Sequence, residues 1–80
     1  TGPIPRGRWR IGAPRDSRRV GPFAMDLHPL GHDAHGRSAF MIHGDSVRNP
    51  GSASSGCIIL SRAVRERIWN SGDRILEVVE

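Results

Sequence analysis

The segment FMIHGDSVRNPGSASSGCIIL (residues 40–60) decides the fold of this chain, because it holds two short apolar runs separated by a polar connection. The runs SAFMIHG (residues 38–44) and CIILS (residues 57–61) predict strands, and the second suits a strand that is covered on both faces. The connection between them, DSVRNPGSASSG (residues 45–56), is rich in Gly, Ser, Asn, Asp and Pro. We therefore expect it to lie on the surface, where functional residues are often found.

Alternation of side chains predicts two further strands upstream. In GRWRIGAP (residues 7–14), Trp9 and Ile11 alternate with Arg8 and Arg10, and Gly and Pro close the segment at both ends. PFAMDLHP (residues 22–29) is expected to divide its side chains between two faces. One face would carry Phe23, Met25 and Leu27, and the other Ala24, Asp26 and His28.

The residues after the second apolar run predict the one helix and a closing strand. In SRAVRERIWNSG (residues 61–72), Ser61 is a suitable N-cap, Val64, Ile68 and Trp69 follow at helical spacing, and Gly72 is a suitable stop. RILEVVE (residues 74–80) predicts the last strand. We therefore expect a single, mainly β domain over residues 1–80, with one short helix after Cys57.

The composition limits the classes of protein to which the chain can belong. It has 80 residues and a formal net charge of +4, and all twelve of its basic residues are Arg. The basic segments lack interleaved aromatic residues and any recognition motif, so a nucleic-acid surface is not expected. No apolar run approaches the roughly 18 residues that span a bilayer, and the amino terminus does not have the pattern of a signal peptide. An export signal, if the protein has one, would lie outside this chain.

The only cysteine, Cys57, is a free thiol, because a single Cys forms neither an internal disulfide nor a zinc site built on cysteine pairs. An unassisted thiol is only about 3 % thiolate at neutral pH, so a reactive one needs a base or an electropositive setting. His43 ends one predicted strand and Cys57 begins the next. If these strands are neighbours, the two side chains form a nucleophile and its base, and Gly56 allows a turn that aims backbone N–H groups at one point.

Other interpretations of these residues stay open from the sequence alone. A cysteine at the head of an apolar strand is commonly a small buried core residue. A second histidine-rich segment, HPLGHDAH (residues 28–35), offers His28, His32, Asp33 and His35 as metal ligands. Solvated loop histidines are the commoner case, and we do not predict a metal site there.

The order His-Gly (residues 43–44), a loop, and then Ser-x-Gly-Cys-Ile (residues 54–58) resembles the active-site signature of YkuD-type L,D-transpeptidases, the cysteine enzymes that remodel bacterial peptidoglycan. TGPIPRGRWRIG (residues 1–12) and SGDRILEVVE (residues 71–80) are similar to the first and the closing strand segments of this superfamily. GRSAFMIHG and SSGCIIL look closest to a branch that includes antibacterial effectors of the type VI secretion system. The resemblance implies a small β-sandwich or barrel, here a fragment lacking earlier strands or a minimal variant.

The resemblance also implies a role for each matching residue. Cys57 would be the nucleophile, His43 its base, and the N–H groups of Gly56 and Cys57 the oxyanion hole. Ser54 holds the Ser or Thr position of the signature, and Ser55 stands where the family commonly has His, an exchange expected to retune the site. The connection after His43 is shorter than is typical, and Ile59 stands where Arg or Asn is frequent. Gly44 is an expected substrate contact. Arg37 and Arg48 flank the proposed site and could hold a substrate carboxylate, although solvated loop arginines are the commoner case.

The implied activity is L,D-transpeptidase or L,D-carboxypeptidase action on peptidoglycan stem peptides, with no cofactor and no metal. The expected location is the periplasm or the outside of a bacterial cell, and a secreted toxin would have an immunity protein as partner. The alternative is a non-catalytic module that keeps the fold and binds cell-wall peptides. Thiol reactivity would separate the two, because a working nucleophile alkylates much faster than a buried core thiol.

Overall fold

A computed structural model of the chain describes residues 4–37, 39–44 and 57–79. These residues form six strands, one 3-10 turn at Ala34–Gly36 and one α-helix. The strands are β1 (Gly7–Ile11), β2 (Arg15–Ser17), β3 (Gly21–Leu30), β4 (Met41–His43), β5 (Ile58–Ile59) and β6 (Ile75–Val78), and the helix is α1 (Arg62–Asn70). The expectation of a mainly β chain is confirmed.

The strands make one small curled sheet in the order β5-β4-β3-β1-β6, with β2 paired to β3 outside this path. The pairings are antiparallel except that of β4 with β5, which is parallel. The parallel pair is possible because residues 44–57 form a connection long enough to return the chain to the same end of β4. In this strand order, β5 and β4 come at one end of the sheet and β6 at the other end.

Trp9 is the centre of the hydrophobic core. Its side chain is fully buried, and its ring meets Phe40 and His32 edge to face at centroid distances of 5.0 and 4.9 Å. The indole N–H donates to the carbonyl of Pro5 at 3.1 Å, so its one polar group is satisfied. The buried cluster comprises Trp9, Ile11, Met25, Leu27, Ala34, Phe40 and Ile42. Each large side chain in it contributes about 1.5–3 kcal/mol through its burial.

All five predicted strands are present, and the faces predicted for β1 and β3 are largely as expected. In β1, Trp9 and Ile11 are buried and the two arginines are exposed. In β3, Met25 and Leu27 are buried. The closing strand β6 is present. The short strand β2 was not predicted, because its three residues, Arg-Asp-Ser, carry no apolar pattern.

Two expectations about strand faces were wrong. Phe23 lies outside the core cluster, because its φ of +56° interrupts the alternation of β3 and Ala24 is buried in its place. The run CIILS is not covered on both faces. Strand β5 contains only Ile58 and Ile59. Among the described strands it pairs with β4 alone, and Ile59 is 37 % exposed.

The predicted helix is confirmed, including both of its ends. The Ser61 Oγ accepts from the Val64 amide at 3.2 Å, and Gly72 follows the last turn with a φ of +81°. The inward face is as expected at Ile68 and Trp69, which pack against the core, but not at Val64. Val64 is 37 % exposed, whereas Arg65 is the buried residue of the helix. In the part of the chain that the structure describes, no helix has the length and hydropathy needed to cross a membrane.

Candidate functional site

The two residues at the centre of the predicted site lie on neighbouring segments of the sheet. His43 ends β4, and Cys57 immediately precedes β5. The parallel register places His43 opposite Ile59, so that Cys57 precedes this partner by two residues. A backbone bond from the Leu60 amide to the His43 carbonyl, 3.0 Å long, continues the pairing. Backbone pairing at His43 thus holds the segment that carries His43 next to the segment that begins with Cys57.

The His43 imidazole is fully buried and held in one tautomer. Its Nδ1 lies 2.7 Å from the carbonyl oxygen of Gly44, and because a carbonyl oxygen only accepts, Nδ1 must carry the proton. In the neutral ring, Nε2 is then the nitrogen with a free lone pair. This Nε2 atom is buried and has no hydrogen-bond partner among the residues that the structure describes, and Cys57 is one of them. The expected hydrogen bond between the imidazole and the thiol is therefore not formed in this structure. An unsatisfied buried acceptor of this kind is uncommon in proteins and is often found at functional sites.

The Cys57 thiol is half-buried, and its Sγ donates to the carbonyl of Ala39 at 3.7 Å. A thiolate has no proton to donate, so this contact can form only when the side chain is a thiol. Ala39 has a φ of +65°, which is unusual for a residue with a Cβ. This conformation directly precedes the core residue Phe40. The backbone at Ala39 is therefore in a strained conformation next to the only thiol of the chain.

Gly44 lies against the guanidinium group of Arg65. A Cβ placed on Gly44 would lie 2.7 Å from Nη2 and 3.3 Å from Cζ of Arg65, distances that side-chain carbons do not adopt without displacing their neighbour. Gly44 is not in the left-handed region. Glycine is therefore needed at this position for space and not for backbone conformation. Its expected role as a substrate contact stays a prediction.

Arg65 is 7 % exposed, and its partners are main-chain carbonyls. Nε donates to Leu60 and Ser61 at 3.0 and 3.3 Å, and Nη1 donates to Pro22 and Phe23, both at 2.9 Å. Burial, together with the nearby charge of Arg62, lowers the pKa of Arg65 from its ordinary value, but an arginine keeps its charge in proteins.

The remaining predicted site residues divide into two groups. Arg37 is half-buried, with its guanidinium carbon 4.8 Å from the centre of the Phe40 ring. It also lines an open groove of about 450 Å³ with Arg6, His35 and Val78. Ser54, Ser55, Gly56 and Arg48 lie outside the described residues.

The histidine-rich segment is explained without a metal. His32 Nε2 lies 3.1 Å from the Arg8 carbonyl, and His32 Nδ1 accepts from the Ala34 amide at 3.1 Å, so both ring nitrogens are occupied. Asp33 accepts from the His35 amide at 3.0 Å. Within residues 4–37, 39–44 and 57–79, no group of three or more potential ligands is placed to hold a metal ion. Most of the segment is exposed, but Ala34 is buried and His32 packs on Trp9.

Two residues near the site were missed by the sequence argument. The position of Arg65 could have been recognised from the sequence. It lies four residues after Ser61 and four before Trp69, on the apolar side of the predicted helix. Ala39 gives no such signal, since the left-handed region is not expected of alanine.

Comparisons of the chain with protein-family models, with curated proteins and with solved structures found no match.

Proposed function

We propose that the chain is a cysteine acyltransferase of the L,D-transpeptidase type that acts on the stem peptides of bacterial peptidoglycan. The observation that carries the proposal is the state of His43. Its Nδ1 is bound to the Gly44 carbonyl, so Nε2 is left as a basic nitrogen to which no described residue hydrogen-bonds. This nitrogen lies on the strand next to the segment that begins with the only thiol. A nucleophile needs such a base, with the base itself oriented by a third group.

The proposed reaction assigns a role to each of these groups. Nε2 of His43 takes the proton of the Cys57 thiol, and the sulfur forms a bond to the carbonyl carbon of the third residue of a tetrapeptide stem. The carbonyl electron pair moves to the oxygen, which the N–H groups of Gly56 and Cys57 stabilise. The bond to the terminal D-alanine then breaks, and the imidazolium gives its proton to the leaving amine. An acceptor amine or water takes the acyl group from the thioester and restores the thiol.

The other predicted residues enter as parts of the same proposal. Arg37 and Arg48 would pair with substrate carboxylates, because a guanidinium group binds a carboxylate through two parallel hydrogen bonds. Gly44 would contact the substrate backbone, and Ser54 and Ser55 would line the nucleophile loop. The fold would be the small L,D-transpeptidase domain, located in the periplasm or secreted. As a secreted toxin, the protein would meet an immunity protein.

The test is the acyl-enzyme. We expect incubation with a disaccharide tetrapeptide to release D-alanine and to add the stem fragment, less D-alanine, to Cys57 in the intact mass. A carbapenem should form a similar thioester, because its lactam presents a strained carbonyl to the same sulfur. Cys57→Ser and prior alkylation are the controls. If iodoacetamide labels the folded protein but neither ligand does, the transpeptidase proposal fails and the peptide-binding module replaces it.

A pair of variants tests the assignment of the base. Ser55→Ala should keep measurable turnover, whereas His43→Ala should lose two orders of magnitude or more, the usual size of a general-base effect of roughly 10²–10⁴. Equal and near-complete loss in both variants would mean that the roles have been misassigned.

A further inference from the structure

Arg65 is a cation that is more than nine-tenths buried, and the structure gives it no carboxylate partner within the described residues. Four main-chain carbonyls hold Nε and Nη1 instead. Burying an arginine costs desolvation free energy, which its hydrogen bonds to these carbonyls offset. The contacts of the guanidinium group indicate the role of this side chain.

The carbonyls come from two parts of the fold that meet at His43. Leu60 accepts from Arg65 Nε through its carbonyl oxygen and donates to the His43 carbonyl through its amide. Leu60, whose amide pairs with His43, is thus also held by Arg65 through the next peptide group along the chain. Pro22 and Phe23, which accept from Nη1, belong to β3, the strand on the opposite side of β4.

The third contact is with the residue that fixes the imidazole ring. Nη2 of Arg65 lies against the bare Cα of Gly44, and the carbonyl of Gly44 accepts the proton of His43 Nδ1. The guanidinium therefore limits where the Gly44 peptide group can move. If that carbonyl turned away, Nδ1 would lose its partner, and the proton could occupy either ring nitrogen.

We infer that Arg65 is a positioning residue for His43. It holds the Leu60 and Gly44 peptide groups on either side of the histidine and thereby keeps the proton on Nδ1 and the lone pair on Nε2. Arg65 acts through Gly44 and does not touch the reacting atoms. The consequence for catalysis rests on the proposed function, whereas the consequence for the tautomer does not.

The test reads the tautomer directly. In protein labelled with 15N-histidine, at a pH well above the titration of the ring, wild-type His43 should show a pyrrole-type signal at Nδ1 and a pyridine-type signal at Nε2. His43→Asn assigns these signals among the four histidines. In Arg65→Lys and in Gly44→Ala, which disturbs the same contact from its other side, we expect the two signals to move toward an average of the two tautomers.

Two control variants separate positioning from simple destabilisation. Ser61→Ala removes the helix cap, and Arg67→Lys makes the same exchange at an exposed position of α1. Both should leave the His43 signals unchanged. Circular dichroism identifies any variant that does not fold. If Arg65→Lys does not fold, Gly44→Ala decides alone, because it keeps the Arg65 side chain itself.

The kinetic test compares the acylation rate constant with the affinity for the substrate. If the wild type forms the acyl-enzyme, Arg65→Lys should lower the acylation rate constant by about tenfold to a hundredfold with little change in substrate affinity, as expected for a misplaced catalytic group. If the wild type forms no acyl-enzyme, the proposed function is wrong, but the His43 tautomer in the variants still tests whether Arg65 positions His43. Unchanged His43 signals in both folded Arg65→Lys and folded Gly44→Ala would overturn it.

Discussion

The substitution His43→Asn separates the chemical role of the imidazole from its structural role. The asparagine side-chain amide can donate to the Gly44 carbonyl much as Nδ1 does, but it has no basic nitrogen. The variant loses the buried Nε2 and gains a buried amide oxygen, so one unpaired acceptor replaces another. The remaining difference is that asparagine is smaller and lacks the outer atoms of the imidazole ring. We expect this loss to lower the free energy of unfolding by about 1 kcal/mol. The variant should therefore fold.

The thiol of the same variant should lose its base. An unassisted cysteine is about 3 % thiolate at neutral pH, so removing a base that fully ionises the thiol lowers its reaction with iodoacetamide by up to roughly thirtyfold. The assay follows the intact mass under pseudo-first-order conditions, with a free cysteine peptide as reference and His28→Asn, at an exposed histidine, as matched control. If folded His43→Asn protein alkylates at the wild-type rate, His43 is not the base and the mechanism is wrong.

Three further predictions concern stability. The hydrogen bond from the Arg15 guanidinium lowers the pKa of Asp26, so the pair should stabilise the fold above the ordinary carboxyl pKa and lose this effect as the pH falls through the pKa of the folded state. The free energies of unfolding of wild type and Arg15→Gln should therefore converge in acid. A constant difference between them at all pH values would contradict this. In urea denaturation, Ser61→Ala should lower the free energy of unfolding by about 1 kcal/mol, whereas Ser61→Asn should lower it much less, because asparagine also caps helices well. Equal losses in the two variants would exclude a capping role for Ser61. Trp9→Ala should cost about 3–5 kcal/mol, enough to unfold a domain of this size at room temperature, and a cooperative thermal transition like that of the wild type would show that the core is centred elsewhere.

Local patterns predicted those parts of the fold that local physics determines. The alternation around Trp9 gave β1 and its buried face, because a strand sends successive side chains to opposite sides. Ser61 and Gly72 gave the ends of α1, because capping depends on residues within one turn. The pairing of the segments that carry His43 and Cys57 was also expected from the sequence, as the condition for a site.

The features that were missed depend on contacts between distant residues. An apolar run such as CIILS looks the same in a central strand and in a strand paired on one side, because only the neighbours distinguish the two. The left-handed conformations of Phe23 and Ala39 have no sequence signal, since both residues carry a Cβ. The position of Arg65 on the apolar side of the helix can be seen in the sequence, but two of the carbonyls that hold its guanidinium group lie 42 and 43 residues away, outside any window around the helix.

The pairing of β1 with β6 has a consequence for how the chain folds during synthesis. Trp9 lies opposite Leu76, so one of the two partners of β1 leaves the ribosome only after almost all of the described chain. Until then β1 can pair with β3, but its other side presents unpaired N–H and C=O groups beside an uncovered aromatic core. Contacts of such long range close slowly and leave partly formed sheets prone to association. We therefore expect the soluble yield in cells to depend on how quickly the last strand is delivered, and on chaperones that cover the sheet in the interval.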